Sequence, residues 1–231
     1  MIWSKRPHLT IGTHKMKKFL LIAGAALVLF AVTVLVFREP LKEAAYDKAT
    51  QDMYTEADED AFDVGPAVGS RFPGVTALYQ DEQIGLIEPF AGPRGTVFMA
   101  SRSFDWCPFC MKQMIQLNQY ADDFADAGFG LVAITYDSPD VLAAFAAEHG
   151  ITIPMLSDID ALSFKTLGIL NPDYAPGEHH YGIPYPGTLI IDPEGRVVGK
   201  LFLESYRNRV SAPAVLALAE DLLPEESASA E

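Results

Sequence analysis

Between residues 75 and 223, short apolar runs alternate with segments in which apolar residues recur every three or four positions. A short apolar run bounded by glycine or proline is typical of a buried strand, and the longer spacing is typical of a helix with one buried face. Regular alternation of the two predicts an α/β layer fold. The predicted strands cover 75–87 (a strand or hairpin), 95–100, 130–136, 188–192 and 197–203, and the predicted helices cover 107–127, 139–150, 161–167 and 212–223.

The only two cysteines lie in the segment Trp106-Cys107-Pro108-Phe109-Cys110, between the strand at 95–100 and the helix that follows it. Proline suits the first position of a helix, so we expect Cys107 at the N-cap and Cys110 on the buried face one turn later. A sulfur at a helix N-terminus meets unpaired N–H groups and the positive end of the helix dipole, which favour the thiolate, the form that attacks disulfides. We therefore predict that Cys107 is exposed and attacks, and that Cys110 is shielded and resolves the mixed disulfide.

A purely structural disulfide is the alternative for this pair. Because the loop between the two cysteines is so short, closing it removes little entropy from the unfolded chain and contributes little stability. The position at a strand-to-helix junction favours a reversible redox pair instead.

The amino terminus predicts a membrane anchor. The first 18 residues carry five basic and no acidic side chains, and residues 19–37 contain no charge, which is enough for a helix that crosses a bilayer. Basic residues before the span and acidic residues after it place the following domain on the extracytoplasmic side, which is the periplasm in a bacterium. A cleaved signal peptide is the alternative, although its apolar core is usually shorter and ends in a small-x-small site. Met16 is a second candidate start, since Lys17 and Lys18 alone would supply a basic flank.

The remainder of the chain is acidic. The 231 residues carry a formal net charge of −14 although the amino terminus is basic, which argues against nucleic acid as a partner. With 49% hydrophobic residues, the chain can bury one good core. The predicted organisation is a basic segment at 1–18, a transmembrane signal anchor at 19–37, an acidic linker at 38–66, one folded domain at 67–223 and a disordered tail at 224–231.

The strand, the WCxxC segment and the helix together resemble the thioredoxin-fold oxidoreductases. The flanking sequence resembles the AhpC/TSA family, the alkyl hydroperoxide reductase and thiol-specific antioxidant proteins, from about residue 68 to residue 223. The segments that carry this resemblance are Val68-Gly69-Ser70-Arg71-Phe72-Pro73, 153–158 and 186–197. The resemblance implies a thioredoxin-like three-layer α/β fold with a central mixed sheet flanked by helices.

The resemblance also implies a role for Pro186, which stands in a Pro-x-Thr pattern at the start of a predicted strand. In the thioredoxin fold a proline at this place has a cis peptide bond and lies against the CxxC segment. Pro186 is therefore expected to be cis, and together with Trp106 to position a substrate next to Cys107. Pro184 is a rival for the same place.

Peroxidase chemistry is an alternative that the resemblance raises. Peroxiredoxins have a threonine three residues and a proline seven residues before the attacking cysteine, and an arginine over its sulfur. This chain has Phe104 and Ala100 at the first two positions, and the arginine position aligns with Pro186. Without those groups a peroxide would not be polarised at the sulfur, so disulfide exchange is favoured.

The sequence does not indicate which group moves protons to and from the thiols. The buried aspartate of thioredoxin corresponds to Ser101 in this chain. Lys112 and Asp105 are nearest in sequence, and both are expected to be solvated.

Adjacent His179 and His180 raise a metal-binding alternative, because copper-binding thioredoxin-fold assembly proteins also combine a membrane anchor, a cysteine pair and a distant histidine. Their cysteines are four residues apart, whereas Cys107 and Cys110 are three apart. Adjacent histidines also lack the spacing of closed zinc sites, although cysteine and imidazole suit copper and zinc. We therefore expect no metal and no cofactor, and we interpret the two histidines as loop surface.

These observations predict a membrane-anchored extracytoplasmic thiol–disulfide oxidoreductase with Cys107 and Cys110 as its catalytic residues. Its expected partners are thiols and disulfides of proteins or small molecules, and the membrane through residues 19–37. A peroxiredoxin-type thiol peroxidase and a copper-binding assembly protein are the alternatives. The direction of electron flow does not follow from the sequence.

Overall fold

A computed structural model of the chain describes residues 13–225. The strands are β1 (Tyr54–Thr55), β2 (Ala77–Tyr79), β3 (Glu82–Ile84), β4 (Gly95–Ala100), β5 (Phe129–Thr135), β6 (Met155–Asp158), β7 (Gly187–Ile191), β8 (Val197–Leu201) and β9 (Arg209–Val210). The α-helices are α1 (Thr13–Thr50), α2 (Pro108–Gln119), α3 (Ala121–Asp126), α4 (Pro139–His149), α5 (Leu162–Leu167) and α6 (Ala212–Leu222).

The amino-terminal helix α1 is long and apolar enough to cross a membrane, judged by length and composition. It runs over 38 residues, includes the predicted span at 19–37, and carries exposed apolar side chains along that span. A signal sequence near the amino terminus would have the same properties. The chain divides into two compact units between Ala49 and Thr50, and most of α1 belongs to the first. Of the basic segment predicted at 1–18, residues 1–12 lie outside the described residues.

A seven-stranded mixed sheet is the centre of the second unit. Its strand order is β3-β2-β6-β5-β4-β7-β8, in which β4, β5 and β6 are parallel and the other neighbours are antiparallel. Successive side chains of a strand point to opposite faces, and both faces of β4 are covered. Val97 and Met99 belong to one buried cluster, whereas Phe98 and Ala100 belong to the other. A strand covered on both faces needs a continuous apolar run, and residues 97–100 provide one.

Helices cover the two faces of the sheet and complete three layers. One cluster joins the sheet to α2, α3, α4 and α6 through Met114, Phe124, Phe145 and Val215. The other joins the opposite face to α5 through Phe164. The predicted α/β fold with a mixed sheet flanked by helices is therefore confirmed.

The helix predicted at 107–127 is interrupted at Tyr120. This residue has φ −102° and ψ 9°, and its N–H donates to the carbonyl of Leu117 at 3.1 Å. A new helix, α3, begins directly after it with Asp122 and Asp123 in its first turn, where the helix dipole stabilises acidic side chains. The break therefore comes from a tight turn without glycine or proline, which the apolar periodicity does not register.

The segment predicted as an acidic linker at 38–66 contributes to the fold. Its β1 pairs in parallel with β9 to form a separate two-stranded sheet. Two of its acidic side chains accept backbone hydrogen bonds: Asp58 from the N–H of Phe202 at 2.8 Å, and Asp60 from the N–H of Glu204 at 2.7 Å. Part of the acidic run is therefore docked beside the end of β8 instead of being fully solvated. Of the predicted disordered tail, residues 226–231 lie outside the described residues.

Candidate functional site

The two cysteines form a disulfide at the amino-terminal end of α2. Cys107 is the N-cap, with Pro108 at the first helical position, and the Cα atoms of the two cysteines are 5.3 Å apart. The backbone N–H of Cys110 donates to Sγ of Cys107 at 3.3 Å. An N–H that would support a thiolate at Cys107 is therefore in place, as the sequence predicts for an N-cap.

Both sulfurs are buried in this disulfide form. Cys107 is 2% exposed and Cys110 is 0% exposed. The prediction that Cys107 is exposed is therefore wrong for the oxidised state. The reason is tertiary packing: Cys107 belongs to a buried apolar cluster that also contains Phe104, and the half-buried rings of Trp106 and Phe109 pack against that cluster.

Three aromatic rings and one arginine gather at the cysteine segment. The guanidinium carbon of Arg102 lies 5.0 Å from the ring centre of Trp106 and 4.5 Å from that of Tyr206. The Tyr206 ring meets the Phe109 ring edge to face, with 6.1 Å between centres. We call Arg102, Trp106, Phe109 and Tyr206 the aromatic cluster. Two of its members, Trp106 and Phe109, directly precede the two cysteines, and the cluster combines a cation with flat apolar surfaces.

The loop that leads to Cys107 is organised by a buried carboxylate, Asp137. It accepts hydrogen bonds from the Ser103 hydroxyl at 2.8 Å, from the backbone N–H of Phe104 at 2.6 Å and from the Thr135 hydroxyl at 3.0 Å. Burial raises the pKa of Asp137 and these hydrogen bonds lower it. Asp137 was not among the predicted site residues, although a lone acid directly after the apolar run at 130–136 was a signal for it.

Lys112 and Asp105, the two candidates nearest the cysteines in sequence, differ in their exposure. Asp105 is exposed, as expected, and Lys112 is half-buried. Ser101, at the position of the thioredoxin aspartate, is fully buried, and its hydroxyl has no hydrogen-bond partner among the described residues.

We call residues 101–107, between β4 and α2, the cysteine loop. Pro186 lies beside the start of this loop because the next residue, Gly187, pairs with Ala100 at the end of β4. The expectation of a cis bond is wrong, since the Tyr185–Pro186 peptide bond is trans. Trans is the ordinary state of a bond before proline. The N–H of Tyr185, the residue before Pro186, donates to the carbonyl of Ile169 at 2.7 Å. Pro184, the rival candidate for this place, forms an isolated antiparallel β-bridge with Leu170.

His179 and His180 contact each other, with 3.3 Å between their Nδ1 atoms. The His180 ring also packs on Trp106, with 4.7 Å between centres. Desolvation, together with His179 and Arg102, lowers the pKa of His180. Within residues 13–225, no three His, Cys, Asp or Glu side chains are grouped so that they could hold a metal ion.

Arg209 is the second group that the sequence analysis missed. This arginine is 3% exposed, and its Nη2 lies 3.5 Å from Sγ of Cys110. Its Nε donates to Oε1 of Gln113 at 2.8 Å, and its Nη1 donates to the carbonyls of Tyr206 and of Asn208. Because Arg209 is 99 positions from Cys110 in the chain, no local pattern could indicate this contact.

Residues 68–200, more than half of the chain, match the sequence model of the AhpC/TSA family. The chain belongs to the AhpC/TSA family.

Several curated proteins are similar to this AhpC/TSA chain over part of their length. A protein named as a peroxiredoxin in Mycobacterium tuberculosis is 32% identical over 91 residues, which are 39% of this chain and 57% of that protein. The thiol-disulfide oxidoreductase ResA of Bacillus cereus is 24% identical over 106 residues, 46% of this chain and 54% of that protein. The match therefore spans little more than half the length of these relatives.

Solved structures show the same fold. Reduced Prx3 from Vibrio vulnificus has a TM-score of 0.58 at 23% identity and covers 67% of this chain and 99% of that one. A thiol peroxidase from Chromobacterium violaceum has a TM-score of 0.58 at 21% identity and covers 74% of this chain and 97% of that one. These likenesses confirm a thioredoxin-like fold for this AhpC/TSA protein.

Proposed function

We propose that this protein is a membrane-anchored extracytoplasmic thiol–disulfide oxidoreductase in which Cys107 attacks and Cys110 resolves. The observation that carries the proposal is the disulfide between the N-cap and the third residue of α2, with a backbone N–H donating to Sγ of Cys107. A sulfur so placed is stabilised as a thiolate when the bond is reduced.

The reaction transfers two electrons between the cysteine pair and a substrate disulfide. The Cys107 thiolate attacks one substrate sulfur, which breaks the substrate S–S bond, forms a mixed disulfide and releases the first substrate thiolate. The Cys110 thiolate then attacks Sγ of Cys107, which closes the Cys107–Cys110 bond and releases the second substrate thiolate. The protons lost by the two cysteines end on the two product thiols. The reverse sequence oxidises a substrate dithiol.

Access to Cys107 requires side-chain movement, because this residue is buried in the disulfide form. We assign that movement to the aromatic cluster, whose Tyr206 ring is 44% exposed and lies on a loop outside the sheet. In the opened form, Trp106 and the backbone at Pro186 would position a substrate chain beside Cys107. This assignment agrees with the pairing of Gly187 to Ala100, which brings Pro186 to the start of the cysteine loop.

Residues 19–37 within α1 are the proposed anchor. The basic residues before them support an extracytoplasmic position of the domain under the positive-inside rule. A reporter enzyme that is active only outside the cytoplasm, fused after residue 231, should be active and should stay with the membrane fraction. Activity in the soluble fraction would indicate cleavage instead, and an inactive reporter would contradict the orientation.

The redox proposal is tested with the full-length protein in detergent and a model protein disulfide. Cys107→Ser should abolish reduction of the disulfide, because no attacking thiolate remains. Cys110→Ser should instead accumulate a mixed disulfide at Cys107, visible as a mass increase that a reductant removes. Full activity of Cys107→Ser would overturn the proposal.

A thiol peroxidase is the second candidate, because relatives of this chain are named as peroxiredoxins. Against it stand Phe104 and Ala100 at the positions of the family's threonine and proline. Rapid consumption of hydrogen peroxide, with a sulfenic acid at Cys107, would support this candidate. Slow consumption together with rapid disulfide exchange would favour the first.

A further inference from the structure

The guanidinium of Arg209 is a buried cation without a counter-charge in the disulfide form. All of its oxygen partners are neutral: the side-chain amide of Gln113 and the backbone carbonyls of Tyr206 and Asn208. Among residues 13–225, no carboxylate forms an ion pair with it. Burying an unpaired charge is unfavourable, and burial lowers the pKa of Arg209 to about 9, which still leaves it charged at neutral pH.

The atom that Nη2 of Arg209 meets, at 3.5 Å, is the sulfur of Cys110. In the disulfide this sulfur is neutral. When the pair is reduced and Cys110 loses its proton, the sulfur becomes an anion within reach of a desolvated cation. Opposite charges at such a distance favour the charged form of both groups, and the surrounding low dielectric strengthens the attraction.

We infer that Arg209 stabilises the thiolate of Cys110 and so prepares the resolving cysteine to attack the mixed disulfide. This inference rests on the proposed function, because it explains how a fully buried resolving thiol is activated. The Cys110 thiol gives its proton to solvent, its thiolate attacks Sγ of Cys107, and the substrate sulfur leaves as a thiolate. Ser101 stands where thioredoxin has a buried carboxylate; unlike that base, Arg209 accepts no proton and acts only by stabilising the thiolate.

Among the described residues, two other titratable groups act on the charge of Arg209, namely Arg102 and Tyr54. Tyr54, on β1, donates its hydroxyl to the carbonyl of Lys112 at 3.1 Å, and burial raises its pKa to about 12, so it is neutral. The positive charge of Arg102 repels that of Arg209, so an anion beside Arg209 becomes more favourable. Cys107 is the other sulfur, and its thiolate is supported by a separate donor, the N–H of Cys110.

The test uses full-length Cys107→Ser, in which Cys110 is the only thiol. Thiolate absorbance is measured against pH with Arg209 intact and with Arg209→Met. A buried thiol without a stabilising charge titrates above the ordinary value of about 8.5, whereas a nearby cation lowers the pKa by roughly 1–3 units. We expect the thiol pKa to lie below about 8.5 with Arg209 and to rise by about one unit or more in Arg209→Met.

Arg94→Met is the matched control, since Arg94 also bonds backbone carbonyls (those of Ala127 and Leu223) but lies at the opposite end of β4 from the cysteine loop. It should leave the Cys110 titration unchanged. Arg209→Lys, which keeps a charge without the planar fork, should raise the thiol pKa less than Arg209→Met. In the two-cysteine protein, at a pH where Cys110 is ionised in the parent, Arg209→Met should favour the disulfide against a thiol buffer by up to about tenfold per unit of thiol pKa shift, which corresponds to about 30 mV.

An unchanged Cys110 titration in a folded Arg209→Met would overturn the inference, as would equal shifts in Arg209→Met and Arg94→Met. If Arg209→Met does not fold, the titration with Arg209 intact decides alone, and a pKa above about 8.5 overturns the inference. Failure of the proposed function would be seen differently. The unmodified protein would then catalyse no disulfide exchange, independently of the result of the Cys110 titration.

Discussion

Replacement of Asp137 tests whether this residue stabilises the cysteine loop through the hydrogen bonds that it accepts or through its negative charge. Its two oxygens accept three hydrogen bonds, of which the one from the backbone N–H of Phe104 is the shortest at 2.6 Å. The Ser103 hydroxyl that donates to Asp137 in turn accepts the N–H groups of Asp105 and Trp106, at 3.0 and 3.3 Å. The conformation of the residues before Cys107 therefore depends on acceptors at Asp137.

The hydrogen bonds of Asp137 determine how much stability its replacement should cost. In Asp137→Ala the Phe104 N–H loses its acceptor, which costs about 1–3 kcal/mol, and two hydroxyl bonds worth about 1 kcal/mol each are lost. Relief of the desolvated charge offsets part of this loss, since burial raises the pKa of Asp137. We expect a net destabilisation of about 2–4 kcal/mol for Asp137→Ala. Asp137→Asn keeps a carbonyl oxygen for Phe104, loses the acceptor of Ser103, and should cost only about 1 kcal/mol.

Thermal unfolding of the full-length protein, followed by near-ultraviolet circular dichroism, measures the difference. At about 2–4 °C per kcal/mol for a domain of this size, Asp137→Ala should lower the Tm by roughly 5–15 °C and Asp137→Asn by about 2–4 °C. Asp105→Asn, an exposed change in the same loop, is the control and should stay within about 0.5 kcal/mol of the parent protein. Equal losses in Asp137→Asn and Asp137→Ala would refute the argument, because they would show that the charge and not the acceptor matters.

Two further predictions concern access to the disulfide and the pH dependence of stability. Tyr206→Ala should speed reduction of the Cys107–Cys110 disulfide by a small thiol several-fold, because it removes a ring of the aromatic cluster; an unchanged rate would show that this ring does not limit access. Burial raises the pKa of Asp158 from 3.8 to about 6, so the parent protein loses stability as the pH rises through that range. Relative to the parent, Asp158→Asn should therefore gain about 1–3 kcal/mol between about pH 4 and pH 7, measured by thermal unfolding at both values. Equal differences at the two pH values would contradict this.

The parts of the site that are fixed locally could be predicted from the sequence. The apolar run at 95–100 identified the strand β4, and Pro108 after Cys107 identified the start of α2. These features follow from the period of a strand and from the missing N–H of proline, which act within a few residues.

The parts that depend on distant residues could not be predicted. Arg209 reaches Cys110 because β9 pairs with β1, and both strands are only two residues long, so neither leaves an apolar pattern. The burial of Cys107 follows from packing between the cysteine segment and other parts of the domain. The trans bond before Pro186 differs from what the family resemblance implies, and no spacing pattern in the sequence indicates it.

The two sulfurs are stabilised by different means that act in the same direction. Sγ of Cys107 receives the N–H of Cys110 at 3.3 Å, and Sγ of Cys110 receives Nη2 of Arg209 at 3.5 Å. Each contact is worth more to a thiolate than to a disulfide sulfur, and thiolates exist only after reduction. Both contacts therefore shift the equilibrium towards the dithiol, and a pair whose reduced form is stabilised is a better oxidant. Measuring the reduction potentials of the parent protein and of Arg209→Met therefore tests whether the contact of this arginine with Cys110 influences the direction of electron transfer at the site.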